Sequence, residues 1–405
     1  MISDFLYEEE YRELYKEAPL EDIIIFRSGP MPDSYIKGMD FDDNARSLFN
    51  YALSIGLNEK YKLVWFVKDP SEFDYKYSNY NNVKFVSYED GNSNDKVKRD
   101  EFFRLLCLAK YLFMTDSYGF AMNAREDQIR VMLWHGCGFK TRLGFSSCSD
   151  KYEYMTVTGD EYAKTYAKTF GLRDDQMLVT GYPRVDYIFH PLNNWTERLN
   201  VPKTEKYIFW MPTFRNTCTA GLERHNHTRP KGESGLPVIE TFTQLEQIDK
   251  FLSCNSATLI IKLHPFQDRS LICDVSNLKN ICFVENSTLL KEDIQINQIL
   301  GYADALISDY SSVAVDYLVT DRPIGFTLDD FDTYKNERGF FWDNVRDWLP
   351  GSELYTYDDM FNFIKEVLSG NDPGREKRQS ISEQMQKYKD DQNSARVFEA
   401  FNIRG

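Results

Sequence analysis

Short apolar runs alternate with longer amphipathic stretches from residue 22 onward. The runs at 22–27, 61–67, 83–86, 111–114, 131–134, 154–157 and 177–179 have the length and β-branched or aromatic character of buried strands. Helical spacing marks 44–57 and 96–109 between them. Strands alternating with helices predict βαβ units and a parallel sheet covered on both faces. The pattern breaks at Pro183 and through the polar stretch 190–203, then starts again. Strands are predicted at 207–211, 258–263, 281–284, 305–308 and 324–327, with a helix at 241–253. Two Rossmann-like halves follow from this, and neither carries a G-x-G-x-x-G dinucleotide fingerprint. The expected division is an N-terminal domain over 1–195, a second over 196–375, and a helical tail over 376–405 that packs back across them. A length of 405 residues agrees with two cores rather than one.

The stretch 305–343 is the richest in local signal. An apolar strand ends in the turn Asp309-Tyr310-Ser311-Ser312, and a helical pattern begins at once. Ser311 or Ser312 suits the N-cap of that helix, where a hydroxyl satisfies an orphan backbone N–H. The unpaired N–H groups and positive dipole end of such a helix attract anions, phosphate above all.

Composition narrows the class. A net charge of −15 argues against a protein that coats nucleic acid through its overall field. One segment runs against that sign: Lys203, Lys206, Arg215, Arg224, Arg229 and Lys231 face only Glu205 and Glu223 between residues 203 and 232. An anionic ligand and a solvated loop both fit it. The seven cysteines are scattered without a C-x-x-C pair, which fits reduced thiols and no zinc site. No basic-then-apolar leader opens the chain, and no run reaches transmembrane length. The expected location is therefore cytoplasmic, with any membrane contact peripheral.

Two histidines close predicted strands. His135 follows the run 131–134 and precedes Gly136 and Gly138, while His264 follows 258–263 and precedes Pro265. Ligands of parallel sheets sit beyond the carboxyl ends of strands, and imidazole is the natural base near neutral pH. A histidine that merely bonds a loop carbonyl fits each position equally. Arg215 ends a strand and suits bidentate phosphate recognition; Arg184 after Pro183 suits a salt bridge with Asp186. Asp309 and Asp316 bracket the serine pair, to orient a histidine or a ribose hydroxyl or simply to favour the helix start. His225 and His227 belong to a basic loop, His190 reads as surface, and no cluster has metal-ligand spacing.

In order, these segments resemble the CDP-glycerol glycerophosphotransferase family, the primases and polymerases of wall teichoic acid and their capsule relatives. The resemblance rests on Trp134-His135-Gly136, Gly181-Tyr182-Pro183-Arg184-Val185-Asp186, Pro212-Thr213-Phe214-Arg215, Leu263-His264-Pro265, and the run from Asp309 to Tyr317 with Arg322-Pro323-Ile324 and Arg338-Gly339-Phe340. Phe266, and Cys137-Gly138-Phe139-Lys140 after the Trp-His-Gly element, depart from the usual family residues. The resemblance implies a GT-B-like fold, two Rossmann-type domains with parallel sheets facing an interdomain cleft. It implies transfer of glycerol phosphate or a related polyol phosphate from a CDP-linked donor to a glycan or lipid-linked acceptor hydroxyl, with CMP released and no cofactor or metal. His135 and His264 are then the catalytic pair, His135 as base. Arg215, Asp309, Ser311, Ser312, Gly136 and Thr213 hold the donor phosphates. The rival within the same fold is a glycosyltransferase using a nucleotide sugar.

Overall fold

The computed structural model describes residues 5–29, 39–115, 125–141, 152–217 and 232–405. The chain divides into two compact units: residues 1–135, 145–186 and 392–405 form the first, and residues 136–144 and 187–391 the second.

The first unit is built on β1 (Glu21–Arg27), β2 (Lys62–Val67), β3 (Val83–Ser87), β4 (Ala109–Met114), β5 (Ile129–Met132), β6 (Tyr154–Val157) and β7 (Met177–Val179). They form one sheet in the order β3-β2-β1-β4-β5-β6-β7, and every pairing is parallel. The central strands are apolar on both faces because helices cover both. Phe26, Phe49, Trp65 and Phe113 fill one side without solvent exposure. Val397, Phe398 and Ile403, from the end of the chain, join that same cluster.

The second unit contains β8 (Lys206–Trp210), β9 (Ala257–Ile261), β10 (Ile281–Phe283), β11 (Ala305–Ser308), β12 (Ile324–Thr327) and β13 (Ser352–Leu354). Their order is β10-β9-β8-β11-β12-β13, again parallel throughout. Ile208, Trp210, Ile261 and Ile307 make its core with Leu245, Ile248 and Leu252 of the helix Phe242–Cys254. Both sheets therefore have the doubly wound order 3-2-1-4-5-6, the first extended by a seventh strand. Each has a switch point beside its first strand, where chain connections diverge and leave a crevice.

Some predicted boundaries shift for local reasons. The strand expected at 131–134 ends at Met132, because Trp134 has φ 59° and cannot continue an extended strand. The helical tail expected over 376–405 contains two helices, Arg375–Met385 and Asn393–Glu399. They fall in different units, with residues 375–385 in the second and 393–399 in the first. The chain passes between the units at 135/136, 144/145, 186/187 and 391/392.

Candidate functional site

At the switch point of the second sheet, the ends of β8 and β11 are tied together. Ser308 Oγ donates to the Met211 carbonyl at 2.9 Å. The Asp309 carboxylate accepts from Thr213 N–H at 2.9 Å and from Thr213 Oγ1 at 2.8 Å. Arg215 Nη1 stands 2.9 Å from Asp309 Oδ2, with Arg215 Nε 2.5 Å from Asp330 Oδ2. Nη1 also donates to the Thr213 carbonyl at 3.0 Å and to Thr213 Oγ1. The guanidinium lies beside the packed Tyr310 and Tyr334 rings, 5.7 and 5.4 Å from their centroids. Tyr310 donates its hydroxyl to Asp330 at 3.1 Å. Burial opposes the Arg215 charge, but Asp309 and Asp330 outweigh it and hold the guanidinium's pKa above its ordinary value. Burial pushes the Tyr310 phenol up, helped by Asp330.

Three of the expected donor-binding residues are engaged with one another here. Arg215, Asp309 and Thr213 are buried and spent on one another and on Asp330. They brace the turn that follows β11. Ser311 and Ser312, which that turn displays, are half-exposed. Ser312 occupies the N-cap position of the helix Val313–Tyr317, but its hydroxyl makes no capping bond there. The helix is only five residues long, so its dipole adds little and side-chain charge must do more of the work.

That charge comes from positions around His264. Phe266 N–H donates to His264 Nδ1 at 3.1 Å, which leaves the ring proton on Nε2. Burial, then Lys140, Lys262 and Arg338, keep the His264 pKa well below 6.5 even though one edge of the residue reaches solvent. His264 is therefore a neutral N–H donor amid cations. Phe214 and Phe266 fix the ring plane, with centroids 4.9 and 5.2 Å from the imidazole. Phe266, the departure from the usual family residue, thus has a packing role. Lys262 donates to Asn286 Oδ1 at 2.6 Å.

Lys140 and Arg338 arrive on paired segments. Lys140 and Phe340 form an antiparallel bridge. Phe341 N–H donates to the Phe139 carbonyl at 3.0 Å, and Thr141 Oγ1 to the Arg338 carbonyl at 2.9 Å. Phe340 in turn packs on Tyr310, centroids 5.0 Å apart. Gly138 lies over the serine turn: a β-carbon there would stand 3.6 Å from Ser312 Cβ. Gly136, at φ 128°, begins this segment. The structure thus brings His264, the serine turn and the Gly136–Lys140 segment into one unit, and sets around His264 three cations, Lys140, Lys262 and Arg338, to which the sequence reading gave no role at the site. Lys262 was legible in one respect, since residues 262 and 264 are two apart on an extended segment and share a face.

His135 is placed by the first unit. It follows β5, is exposed, and its ring lies 4.1 Å from that of Trp134, centroid to centroid. Trp134 holds a left-handed backbone at φ 59°, a conformation costing on the order of 1–3 kcal/mol for a non-glycine residue. Asn44 Nδ2 donates to the Trp134 carbonyl at 2.8 Å. Arg184 Nη1 donates to the His135 carbonyl at 3.0 Å and to Asp43 Oδ1 at 2.7 Å. The salt bridge expected between Arg184 and Asp186 is replaced by this pair. Asp186 instead accepts from the backbone N–H groups of Asn393 and Ser394, both at 2.9 Å, and so caps the helix Asn393–Glu399.

His225, His227, Arg224, Arg229 and Lys231 lie outside the described residues. Among the described residues no three His, Cys, Asp or Glu side chains converge as a metal site, and no helix is long and apolar enough to cross a membrane. His190 is exposed, paired with Asp391 at 2.5 Å.

Two parallel doubly wound sheets, the second with a cationic, hydroxyl-bearing site at its switch point, place the chain among GT-B-like α/β proteins. Residues 33–402 match the model of one family, and the chain belongs to it: CDP-glycerol:poly(glycerophosphate) glycerophosphotransferase. Teichoic acid ribitol-phosphate polymerase TarK of Staphylococcus aureus is 26% identical over 363 residues, covering 84% of this chain and 64% of that protein. Teichoic acid glycerol-phosphate primase of Bacillus subtilis is 26% identical over 305 residues, covering 70% of this chain and 71% of the primase. The chain spans between 41% and 64% of the length of three ribitol-phosphate polymerases it matches. Among solved structures, the wall teichoic acid polymerase TagF superposes with a TM-score of 0.68 at 18% identity, over 98% of this chain and 94% of that one.

Proposed function

We propose that the chain transfers a polyol phosphate from a CDP-linked donor to an acceptor hydroxyl in teichoic acid or related surface-glycan synthesis, releasing CMP. The observation that carries this reading is the half-exposed Ser311–Ser312 turn, with Gly138 packed over it, in the same unit as a His264 N–H set among Lys140, Lys262 and Arg338. A pyrophosphate is the ligand whose charge and acceptor oxygens match three cations, a neutral imidazole donor and two hydroxyls. The names of the relatives, ribitol-phosphate polymerase and glycerol-phosphate primase, point the same way.

In this reading the acceptor oxygen attacks the phosphorus that bears the polyol. A new P–O bond forms, and the bond to the bridging oxygen breaks. CMP leaves with that electron pair, and the acceptor proton passes to His135. Lys140, Lys262 and Arg338 balance the charge gathering on the leaving phosphate, while His264 Nε2–H and the serines hold the oxygens. Positioning and electrostatics supply most of the acceleration in phosphoryl transfer. Arg215, Asp309 and Thr213 keep the serine turn in place without touching the donor. The first unit serves the acceptor and the second the donor. A lipid-linked acceptor makes the chain a transient visitor to the membrane surface.

The test is a donor panel: CDP-glycerol, CDP-ribitol and UDP-sugars with a synthetic disaccharide-lipid acceptor, following nucleotide release. CMP from a CDP-polyol supports the proposal. UDP release from a UDP-sugar alone favours sugar transfer instead.

A further inference from the structure

His135 sits on a backbone that its own sequence does not favour. Trp134 is left-handed at φ 59° and Gly136 follows at φ 128°, so the chain turns sharply on both sides of the imidazole. Bulky aromatic residues avoid the left-handed region, and such a conformation persists only where surrounding bonds determine it. Those bonds converge from two distant points of the sequence. Asn44 is wholly buried; its Nδ2 holds the Trp134 carbonyl at 2.8 Å, and its Oδ1 accepts from Arg184 N–H at 3.1 Å. The Arg184 guanidinium holds the next carbonyl, that of His135, at 3.0 Å and is fixed by Asp43 at 2.7 Å. Asp43, Asn44 and Arg184 thus form a yoke that grips two successive carbonyls and leaves the imidazole outward.

We propose that Asn44 and Arg184 are positioning residues for His135, setting the orientation of its imidazole for proton transfer. This rests on the reading of His135 as the base. Neither residue acts on the donor; each works through the backbone that carries the ring. A displacement of about 1 Å in a catalytic group costs on the order of 10²-fold in rate, so losing either grip should lower kcat by about 10–100-fold. The donor site in the other unit keeps its own scaffold, so donor KM stays unchanged.

The test compares Asn44→Ala, Arg184→Lys, Arg184→Ala, His135→Ala and the double variant His135→Ala/Arg184→Ala in the full chain. It reads kcat, donor KM, CDP-glycerol affinity by calorimetry, and the ¹⁵N–¹H pattern of the His135 ring. The expected result is a fall in kcat at constant donor affinity in the single variants. The double variant should be no slower than His135→Ala, because an effect acting through His135 cannot be lost twice. The ring signals should shift in Asn44→Ala and Arg184→Lys. Full activity in Asn44→Ala and both Arg184 variants beside an inactive His135→Ala overturns the inference, as do losses that multiply in the double variant. Full activity in His135→Ala removes the base reading; the yoke is then decided by the ring signals, and an unchanged pattern overturns it.

Discussion

Arg215 Nη1 and Asp309 Oδ2 lie 2.9 Å apart, with the two side chains 4% and 0% exposed. An ion pair so enclosed is a poor ligand contact and a strong brace. It joins the end of β8 to the turn after β11, and Asp330 completes it from the start of the helix Phe331–Glu337.

Removing the cation leaves Asp309 and Asp330 as uncompensated buried charges. Arg215→Ala should therefore destabilise the protein by about 3–5 kcal/mol, read as a lowered unfolding midpoint in urea. Ser312→Ala, at the half-exposed turn it supports, should leave that midpoint in place and weaken donor binding instead.

The low pKa of His264 ties stability to pH. The folded state keeps the ring neutral while the unfolded chain protonates near 6.5. Between those two values the unfolded state holds more protons, so stability rises with pH there. The contribution is present above about 6.5 and is lost as pH falls toward the lower folded value. His264→Gln should flatten this part of the profile, measured as unfolding midpoints from about pH 7.5 down to about pH 5.5. A bound pyrophosphate favours the imidazolium, so donor affinity in the wild type should strengthen as pH falls over the same window.

Lys262 and Arg338 supply charge to the proposed donor site. Lys262→Met and Arg338→Gln should each weaken CDP-glycerol binding by roughly 10–100-fold, the worth of one hydrogen bond to a charged group. Calorimetry at two salt concentrations checks this, and the variants should show a shallower loss of affinity with salt than the wild type.

The end of the chain hangs on Asp186 and Gly181. Gly181 has φ 74°, and a β-carbon there would meet Asn393 Oδ1 at 1.9 Å. Gly181→Ala, and Asp186→Ala through loss of its cap at about 1–2 kcal/mol, should both loosen the helix Asn393–Glu399. Faster amide exchange over residues 392–405 is the expected readout.

Much of the fold was legible because parallel strands, buried on both faces, leave apolar runs of distinctive length. The runs at 154–157, 177–179, 305–308 and 324–327 coincide with observed strands. His135 and His264 were legible because both follow such runs. What stayed hidden depends on tertiary pairing. Nothing local in Arg338 or Lys140 reveals that their segments bridge, and nothing in Arg215 reveals two carboxylates waiting 94 and 115 positions further along. Asn44 read only as the start of a helical stretch, yet its side chain holds the Trp134 carbonyl, and Asp43 beside it holds Arg184. That the tail holds a second helix starting at Asn393 depends on Asp186, more than 200 positions earlier, and no local pattern shows it.

The measurement closest to the central claim is the mass of the product formed from CDP-glycerol or CDP-ribitol and a synthetic acceptor, with CMP quantified in the same sample. The proposed transfer predicts an acceptor enlarged by one or more polyol phosphates and one CMP for each. An acceptor carrying a cytidylyl group or a sugar, or no CMP from any CDP-polyol, would contradict it.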